Sequence, residues 1–292
     1  MIKRIFKYFL IPTLLFFATT LWVYDGYHKL LTPPDTSVTL TEGQAQAAKN
    51  KAKAVSQTDK EREKIQDADM QVLVTARLKR AETMAQAGVG RLAIPSVDLD
   101  LPVLNQVTEL NLSTGAAMYF PERPLGEGNV VLASHNFSDA DVLLHRIKNV
   151  TTGTKIYLTD FTTVWIYRVT VNRTIHENQT EVLDQPKDGP AQVTLLRCEG
   201  GIGTPYRRVV QGALQKTQLF STLTAKEQRA LGIDEKNAQA TNSERKQQSE
   251  NWMSNQLALS IQQKRPTIWL VGVLLVNLLV LAIQGMSFVR KD

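Results

Sequence analysis

The chain contains a single cysteine, Cys198, among 292 residues. One thiol excludes an internal disulfide and any metal site built from several cysteines. Histidine is almost as scarce, with four in the chain, so few imidazoles are available for proton transfer near neutral pH. The net charge of +6 comes without an arginine-rich tract or an aromatic-basic stripe, which argues against a nucleic-acid partner. A basic chain of this kind suits an anionic membrane or cell-wall surface. No internal repeat or low-complexity tract is present, and no heptad persists for three repeats, which weakens a coiled coil.

Long apolar runs are confined to the two ends. Tyr8–Tyr24 has no charge and follows Lys3, Arg4 and Lys7. Thr267–Val289 has only Asn277, Gln284 and Ser287 as polar members, with Lys264 and Arg265 before it and Arg290 and Lys291 after it. At about 1.5 Å per helical residue, both runs reach the length of a membrane span. Tyr24–Asp25–Gly26–Tyr27 lacks a small-residue cleavage pattern, so the first span reads as an uncleaved anchor. The flanking cations place both termini in the cytoplasm and everything between the spans outside.

The expected organisation is therefore a cytoplasmic N-terminus (1–7), a transmembrane helix (8–24), an extracytoplasmic linker and stalk helix (25–87), a β-rich domain (88–216), a helical polar linker (217–266), a second transmembrane helix (267–289) and a cytoplasmic tail (290–292). Within the stalk, Glu42–Ala87 is alanine-rich and free of proline, with the charge run Lys60–Lys64. Its C-terminal part carries a partial apolar stripe that docks on the next domain. Gly88 and Gly90 stop that helix. Strands are expected over Gly90–Val97, Leu99–Leu104, Val107–Leu112, Ala116–Phe120, Asn129–Ala133, Lys155–Thr159, Thr163–Thr170, Gln192–Arg197 and a last one ending at Gly212–Leu214. Pro95 and Pro102 suit edge positions. Val142–Val150 reads as one or two helical turns, and Ile175–Ala191 as a long polar connection. About eight short strands with almost no long helix predict an all-β fold, a closed or nearly closed barrel. Thr224–Leu231 opens with a capping-box pattern, and Ser243–Gln263 reads as a charged helix.

Gln192–Leu214 brings the reactive residues together. Two apolar runs flank a loop containing Gly200, Gly201, Gly203 and Pro205, so the pattern is strand, loop, strand. Cys198 ends the first strand and Arg207 begins the second. Thr194, Leu196 and Cys198 share one face, while Leu195 and Arg197 share the other. A free cysteine is commonly a small buried core residue, but this one abuts a glycine loop, where functional sites concentrate. His135 follows the apolar strand Asn129–Ala133 and is the only histidine at a strand end; His28, His145 and His176 read as solvated or structural. Arg207 and Arg208 point to opposite faces, and alternation alone does not choose between them. As edge charges, both would also discourage unwanted sheet pairing.

TLLRC followed by RRVVQGAL, and preceded by VVLASHNFSD and GRLAIPSVDLDLPVL, resembles the sortases, membrane-anchored cysteine transpeptidases of Gram-positive bacteria. The resemblance covers about Gly88–Lys216. It implies a sortase-like barrel with Cys198 as nucleophile, His135 as general acid and base, and Arg207 as the guanidinium at the site, which breaks the tie with Arg208. The LASH segment and KIYLTD (Lys155–Asp160) are most similar to class A. Two departures stand out. The family's threonine before cysteine is Arg197 here, and the C-terminal span is commoner in the pilus-building class C. The Asp-Pro-aromatic lid of class C is absent from Glu42–Val89, which leaves that class second.

The chemistry implied is attack of a thiolate on a peptide carbonyl, then resolution of the thioester by an amine. The substrates implied are an LPxTG-type sorting signal, cut after threonine, and a lipid-linked peptidoglycan precursor amine. His135 would protonate the leaving amine and deprotonate the incoming one. Arg207 would donate to the developing oxyanion, with the backbone N–H of Glu199 completing that site. No cofactor and no metal are expected. Glu177, Glu181 and Asp184 read as a solvated acidic group, although some class A sortases bind calcium. The rival reading from another class is a non-enzymatic membrane-tethered β-barrel that binds or assembles, with Cys198 in its core.

Overall fold

The computed structural model describes residues 11–31, 40–53, 68–137, 141–201 and 203–231, together with Leu275, Leu278 and Ala282. The chain divides into two compact units, residues 1–32 with 249–292, and residues 33–248. In the first unit, helix α1 spans Ile11–Leu31 and exposes Leu14, Phe17, Leu21 and Trp22. It runs on past Tyr24, where a linker was expected, so Asp25 and Lys29 fall within the helix. Among the described residues, no helix is long and apolar enough to cross a membrane. The predicted span 267–289 lies outside the described residues apart from three helical positions. So do the predicted tails 1–7 and 290–292 and all but the first part of 217–266.

In the second unit, eight strands close into a barrel in the order β1-β2-β3-β4-β7-β8-β6-β5. They are β1 (Gly88–Ile94), β2 (Leu99–Leu104), β3 (Ala116–Met118), β4 (Asn129–Ala133), β5 (Lys155–Thr159), β6 (Thr163–His176), β7 (Gln192–Cys198) and β8 (Tyr206–Leu219). Closure pairs β1 with β5, which removes free sheet edges. The approach there is close: a Cβ on Gly90 would collide with the carbonyl oxygen of Thr159. The prolines therefore do not sit on edges. Pro95 opens a 3₁₀ turn. Pro102 pairs with Arg91 on one side, while pairing to β3 on the other begins only at Val103. The β6 and β8 strands are longer than predicted and run together from Thr163↔Leu219 to His176↔Tyr206. The end of β6, expected to be part of a loop, therefore reaches the start of β8.

Val107–Leu112 is not a strand. Thr108 caps a short helix there, its hydroxyl accepting from the Asn111 backbone N–H at 3.1 Å. This helix is α5 (Glu109–Thr114), preceded in the chain by α2 (Leu40–Lys51), α3 (Met70–Leu78) and α4 (Arg80–Ala87). The last three replace the single stalk helix expected over Glu42–Ala87, and residues 54–67 of that stretch lie outside the description. Asp69 starts α3 by accepting from Val72 N–H at 3.0 Å, and a non-helical Lys79 separates α3 from α4.

The C-terminal part of this stretch packs on the barrel through Ala87 and Met84, and α2 lies against it as well. Ala47 of α2 joins Ala93, Tyr157, Phe161 and Ile166 in one buried cluster, and Asn50 donates to the Gly88 carbonyl at 2.9 Å. A side chain at Gly43 would strike the Phe161 ring. In a closed barrel one parity faces inward, and Leu92, Val103, Leu132, Leu158, Leu195 and Val210 fill the lumen, all fully buried. The outward parity is covered where helices pack. The predicted turns at 142–150 form a 3₁₀ segment, Leu143–Asn149, which buries Leu144 and Ile147 at one end of the barrel. The capping box at Thr224 is formed with Glu227 and starts α6 (Ala225–Ala230).

Candidate active site

Three neighbouring strands carry the site, and their register decides its composition. The β4–β7 pair is parallel and in register from Asn129↔Gln192 to Ala133↔Leu196. The Ser134 N–H extends it by donating to the Leu196 carbonyl at 3.1 Å. His135 lies two residues past Ala133, as Cys198 lies two past its partner Leu196, so the same register continued would set the two level. The β7–β8 pair is antiparallel, with Thr194↔Gln211, Leu196↔Val209 and Cys198↔Arg207. The outward face of the three strands thus changes character along its length. A polar end ties Thr194 to Asn129 at 2.8 Å and Gln211 to Thr194 at 3.2 Å. A middle rung of Ala133, Leu196 and Val209 packs under Leu112 and Val182. The last rung is His135, Cys198 and Arg207.

The structure brings together the three residues singled out from sequence. In this register Arg207 shares parity with Cys198, whereas Arg208 pairs across β7 with Arg197 on the opposite face. Both reactive side chains are enclosed. Cys198 is 1% exposed and His135 0%. The Phe137 ring meets the imidazole edge-on at 6.2 Å between centroids, and the His135 backbone N–H donates to the Leu112 carbonyl of α5 at 3.0 Å. Glu109, in the first turn of α5, brings Oε1 within 3.2 Å of His135 Nε2. The approach is not aligned as a hydrogen bond, and both ring nitrogens lack one.

Arg207 is held by three acceptors: the carbonyls of Thr204 at 2.8 Å and Tyr206 at 2.9 Å, and the Glu177 carboxylate at 2.7 Å. A guanidinium has five N–H donors, so two remain for a substrate oxygen. Glu177 is therefore a partner of the site arginine and not simply a solvated acid. The Glu199 N–H does not serve as a spare oxyanion donor, because it donates to the Tyr206 carbonyl at 3.0 Å. This is a ladder bond that continues the β7–β8 pairing one residue past the thiol.

On the inner face, Arg197 donates to the Cys198 carbonyl at 2.6 Å and lies 2.9 Å from Glu199. Arg208 donates to both Glu199 oxygens at 3.2 Å. Burial pushes the Arg197 guanidinium below its ordinary pKa, opposed by the Glu199 charge. Burial pushes the Glu199 carboxyl up, but Arg208, Arg197 and Lys148 outweigh it and hold the group below the usual carboxylate range. His145 contacts Lys148 Nζ through Nε2 at 2.8 Å; burial, then Lys148 and Arg197, favour its neutral form. It is a structural neighbour of Arg197, as is consistent with its place in a helical turn. His176 stacks edge-on with Tyr206 near the rim.

Sequence reasoning missed Glu109, Phe137 and the pairing role of Glu177. The Thr108 cap pattern was the available signal for Glu109, and reading Val107–Leu112 as a strand concealed it.

Comparison with known proteins identifies the group. The sortase domain family matches residues 92–215, which includes the whole last rung. Sortase A of Listeria monocytogenes is 39% identical over 132 residues, covering 45% of this chain and 59% of the relative. Sortase A of Bacillus anthracis is 36% identical over 155 residues, covering 53% of this chain and 70% of the relative. The chain belongs to the sortase family. The crystal structure of Listeria monocytogenes sortase A, 37% identical, covers 51% of this chain and 99% of its own, with a TM-score of 0.46. Sortases are cysteine transpeptidases, and the resemblance here is strongest to class A. Arg197, which stands where the family has threonine, points away from the thiol into the barrel end, where Glu199 balances it.

Proposed function

We propose that this chain is a class A-like sortase that cleaves an LPxTG-type sorting signal after threonine and joins the released acyl group to a cell-wall precursor amine. What supports the reading is the last rung of the sheet, where a thiol, an imidazole and a guanidinium share one face of three adjacent strand ends. Attack by the Cys198 thiolate on the threonine carbonyl gives a tetrahedral oxyanion. The two uncommitted N–H donors of Arg207 stabilise it. His135 gives a proton to the leaving amine, and the carbon–nitrogen bond breaks to leave a thioester. In the second half His135 takes a proton from the incoming amine, whose nitrogen displaces Cys198. Burial of both reactive groups keeps water from competing for the thioester. The substrate must reach past the side chains packed on these groups, among them Phe137, whose ring meets the imidazole edge-on.

The apolar runs 8–24 and 267–289 hold the enzyme at the membrane in this reading, with both termini cytoplasmic and the barrel outside. Tethering enzyme and lipid-linked substrates to one surface raises their effective concentration. The experiment is to incubate the detergent-solubilised full chain with an LPxTG peptide, with and without an amine, and to follow masses. A thioacyl adduct on Cys198 and an amine-dependent amide product, both lost in Cys198→Ala, are expected. A folded protein that forms neither with several motifs reverts to a binding module. For the membrane arrangement, alkaline extraction should leave the chain in the membrane fraction, and its release would remove the anchors.

A further inference from the structure

The end of the barrel away from the thiol carries a cavity that the transfer chemistry does not use. Strands β1, β4, β6 and β7 run in one direction and β2, β3, β5 and β8 in the other. Cys198 closes β7 and His135 follows β4, so both lie at one end. At the other end, the starts of β1 and β6, the finishes of β2, β3 and β5 and the connection before β4 surround a space of about 270 Å³. That is close to the lower bound for small-molecule sites, about 300–1,000 Å³. Val89, Met118, Leu125 and the Trp165 indole give it an apolar wall. Pro121 and Pro124 line it from the connection before β4, and their fixed φ stiffens that side. Gly126, with φ of +85°, lets the same connection press against Trp165, since a Cβ there would strike the indole.

Three polar side chains complete the lining. Asn105, just past β2, is 5% exposed. Its Nδ2 donates to the Asn50 carbonyl at 3.4 Å, which orients the amide and leaves Oδ1 buried with no hydrogen-bond partner. A buried acceptor in that state is costly until a donor reaches it. Lys51, at the end of α2, is 45% exposed. Its Nζ has three N–H donors and gives one to Asp160 at 2.5 Å, leaving two among the described residues. Asp160 is fully committed, because its other oxygen accepts the N–H groups of Thr162 and Thr163 at 3.0 and 2.7 Å. The ionisable groups of the wall balance, with Lys51 and Arg123 against Glu122 and Asp160. The cavity therefore asks for an uncharged molecule that donates to Asn105, accepts from Lys51 and has an apolar face for Trp165. A secondary amide on a compact ring meets all three demands.

We propose that this cavity binds an N-acetylated amino sugar, the acetamido-bearing unit of a wall glycan. The acetamido N–H donates to Asn105 Oδ1, its carbonyl accepts from Lys51 Nζ, and the C–H face of the pyranose lies on the Trp165 indole. A sugar suits the site better than a charged headgroup or an amino acid, because no unbalanced charge awaits either. Occupied, the cavity fastens the barrel to glycan by the end opposite Cys198 and leaves the catalytic rung open. The site stands or falls independently of the transfer reaction.

The test is a ligand-observed NMR saturation-transfer titration of the detergent-solubilised full chain with N-acetylglucosamine. Saturable transfer to the acetamido methyl is expected, with affinity in the millimolar range. Glucose, which lacks the amide, should bind at least about ten-fold more weakly, and Asn105→Leu should weaken N-acetylglucosamine about ten-fold, the loss of one hydrogen bond to a buried acceptor. Lys51→Met removes the second contact at a half-exposed position, should weaken binding several-fold, and serves in place of Asn105→Leu should that variant not fold. Equal binding of glucose refutes the role of the amide. Sugar binding that is unchanged in both variants lies elsewhere on the chain and overturns the proposal. If N-acetylprolinamide displaces the sugar and binds more tightly, the occupant is a peptide and the sugar assignment is wrong. No saturable signal well beyond millimolar sugar means that the cavity holds only water, which also overturns it.

Discussion

Replacing Glu199 with glutamine isolates the charge that stands beside the nucleophile. Arg197 is 2% exposed and turned into the barrel end, and its balancing charge is Glu199 at 2.9 Å. Arg208 lies opposite Arg197 in the ladder and uses the same carboxylate. Removing that charge leaves two guanidinium groups facing one another across a rung, one of them out of water. Breaking a fully buried pair costs about 3–5 kcal/mol. Glu199 is 26% exposed, and water screens part of the effect, so the expected loss is about 2 kcal/mol. For a domain of this size that lowers Tm by about 4–8 °C.

The pH dependence gives a second, independent check. The folded-state carboxyl sits below its ordinary value of 4.5, so its contribution is complete above that value and is lost as pH falls through the folded pKa. The deficit of Glu199→Gln should therefore be full at pH 7 and shrink below about pH 4.5. Thermal melts of both proteins across this range provide the measurement. A deficit under about 0.5 kcal/mol at pH 7, or one equally large in acid, would refute the assignment. A double-mutant cycle sharpens it: in an Arg197→Thr background the same change should cost much less, because the buried cation is gone.

Other consequences are simpler to state. Arg207→Ala should lower the rate of acyl-enzyme formation by about 100-fold or more, the loss typical of a removed oxyanion donor. Arg208→Ala should leave that rate within a few-fold and cost only about 0.5–1 kcal/mol of stability; equal rate losses in both would sink the face assignment. Leu112→Ala opens a cavity over the middle rung and should cost about 3 kcal/mol in urea unfolding, with an unchanged m-value. A loss under about 1 kcal/mol would mean that α5 collapses into the space.

Much of the site was legible because strand alternation is a strictly local rule. The run from Gln192 to Cys198, the glycine loop and the return strand fix which side chains share a face, and the β4 strand ends beside its histidine in the same manner. The choice between Arg207 and Arg208 was not local. It depends on the β7–β8 register, which the loop sets and which alternation cannot supply. The α5 helix was misread because Val107, Leu110 and Leu112 suit a strand, and a six-residue helix gives too little periodicity to overrule them. The stretch expected as a stalk is a different case. Helical composition over Glu42–Ala87 was real, but whether helices project or lie down depends on a receptive surface such as the Ala93 and Phe161 patch, formed by residues distant in sequence. Glu109 and Glu177 act through partners equally remote.

The parallel pairing of β4 with β7 bears on when the protein becomes chemically competent. His135, just past the end of β4, and Cys198, at the end of β7, lie on neighbouring chain segments, yet the chain between them must first build β5, β6 and the turn at Leu143–Asn149. In the unfolded chain Cys198 is an ordinary thiol with no imidazole near it and no guanidinium beside it. Pairings of this sequence separation form late, because loop closure precedes any gain from contact. If the proposed roles hold, reactivity is thus coupled to completion of the barrel: a nascent or partly folded chain carries its only cysteine without the proposed activating groups, and the finished fold supplies those groups and the shelter together.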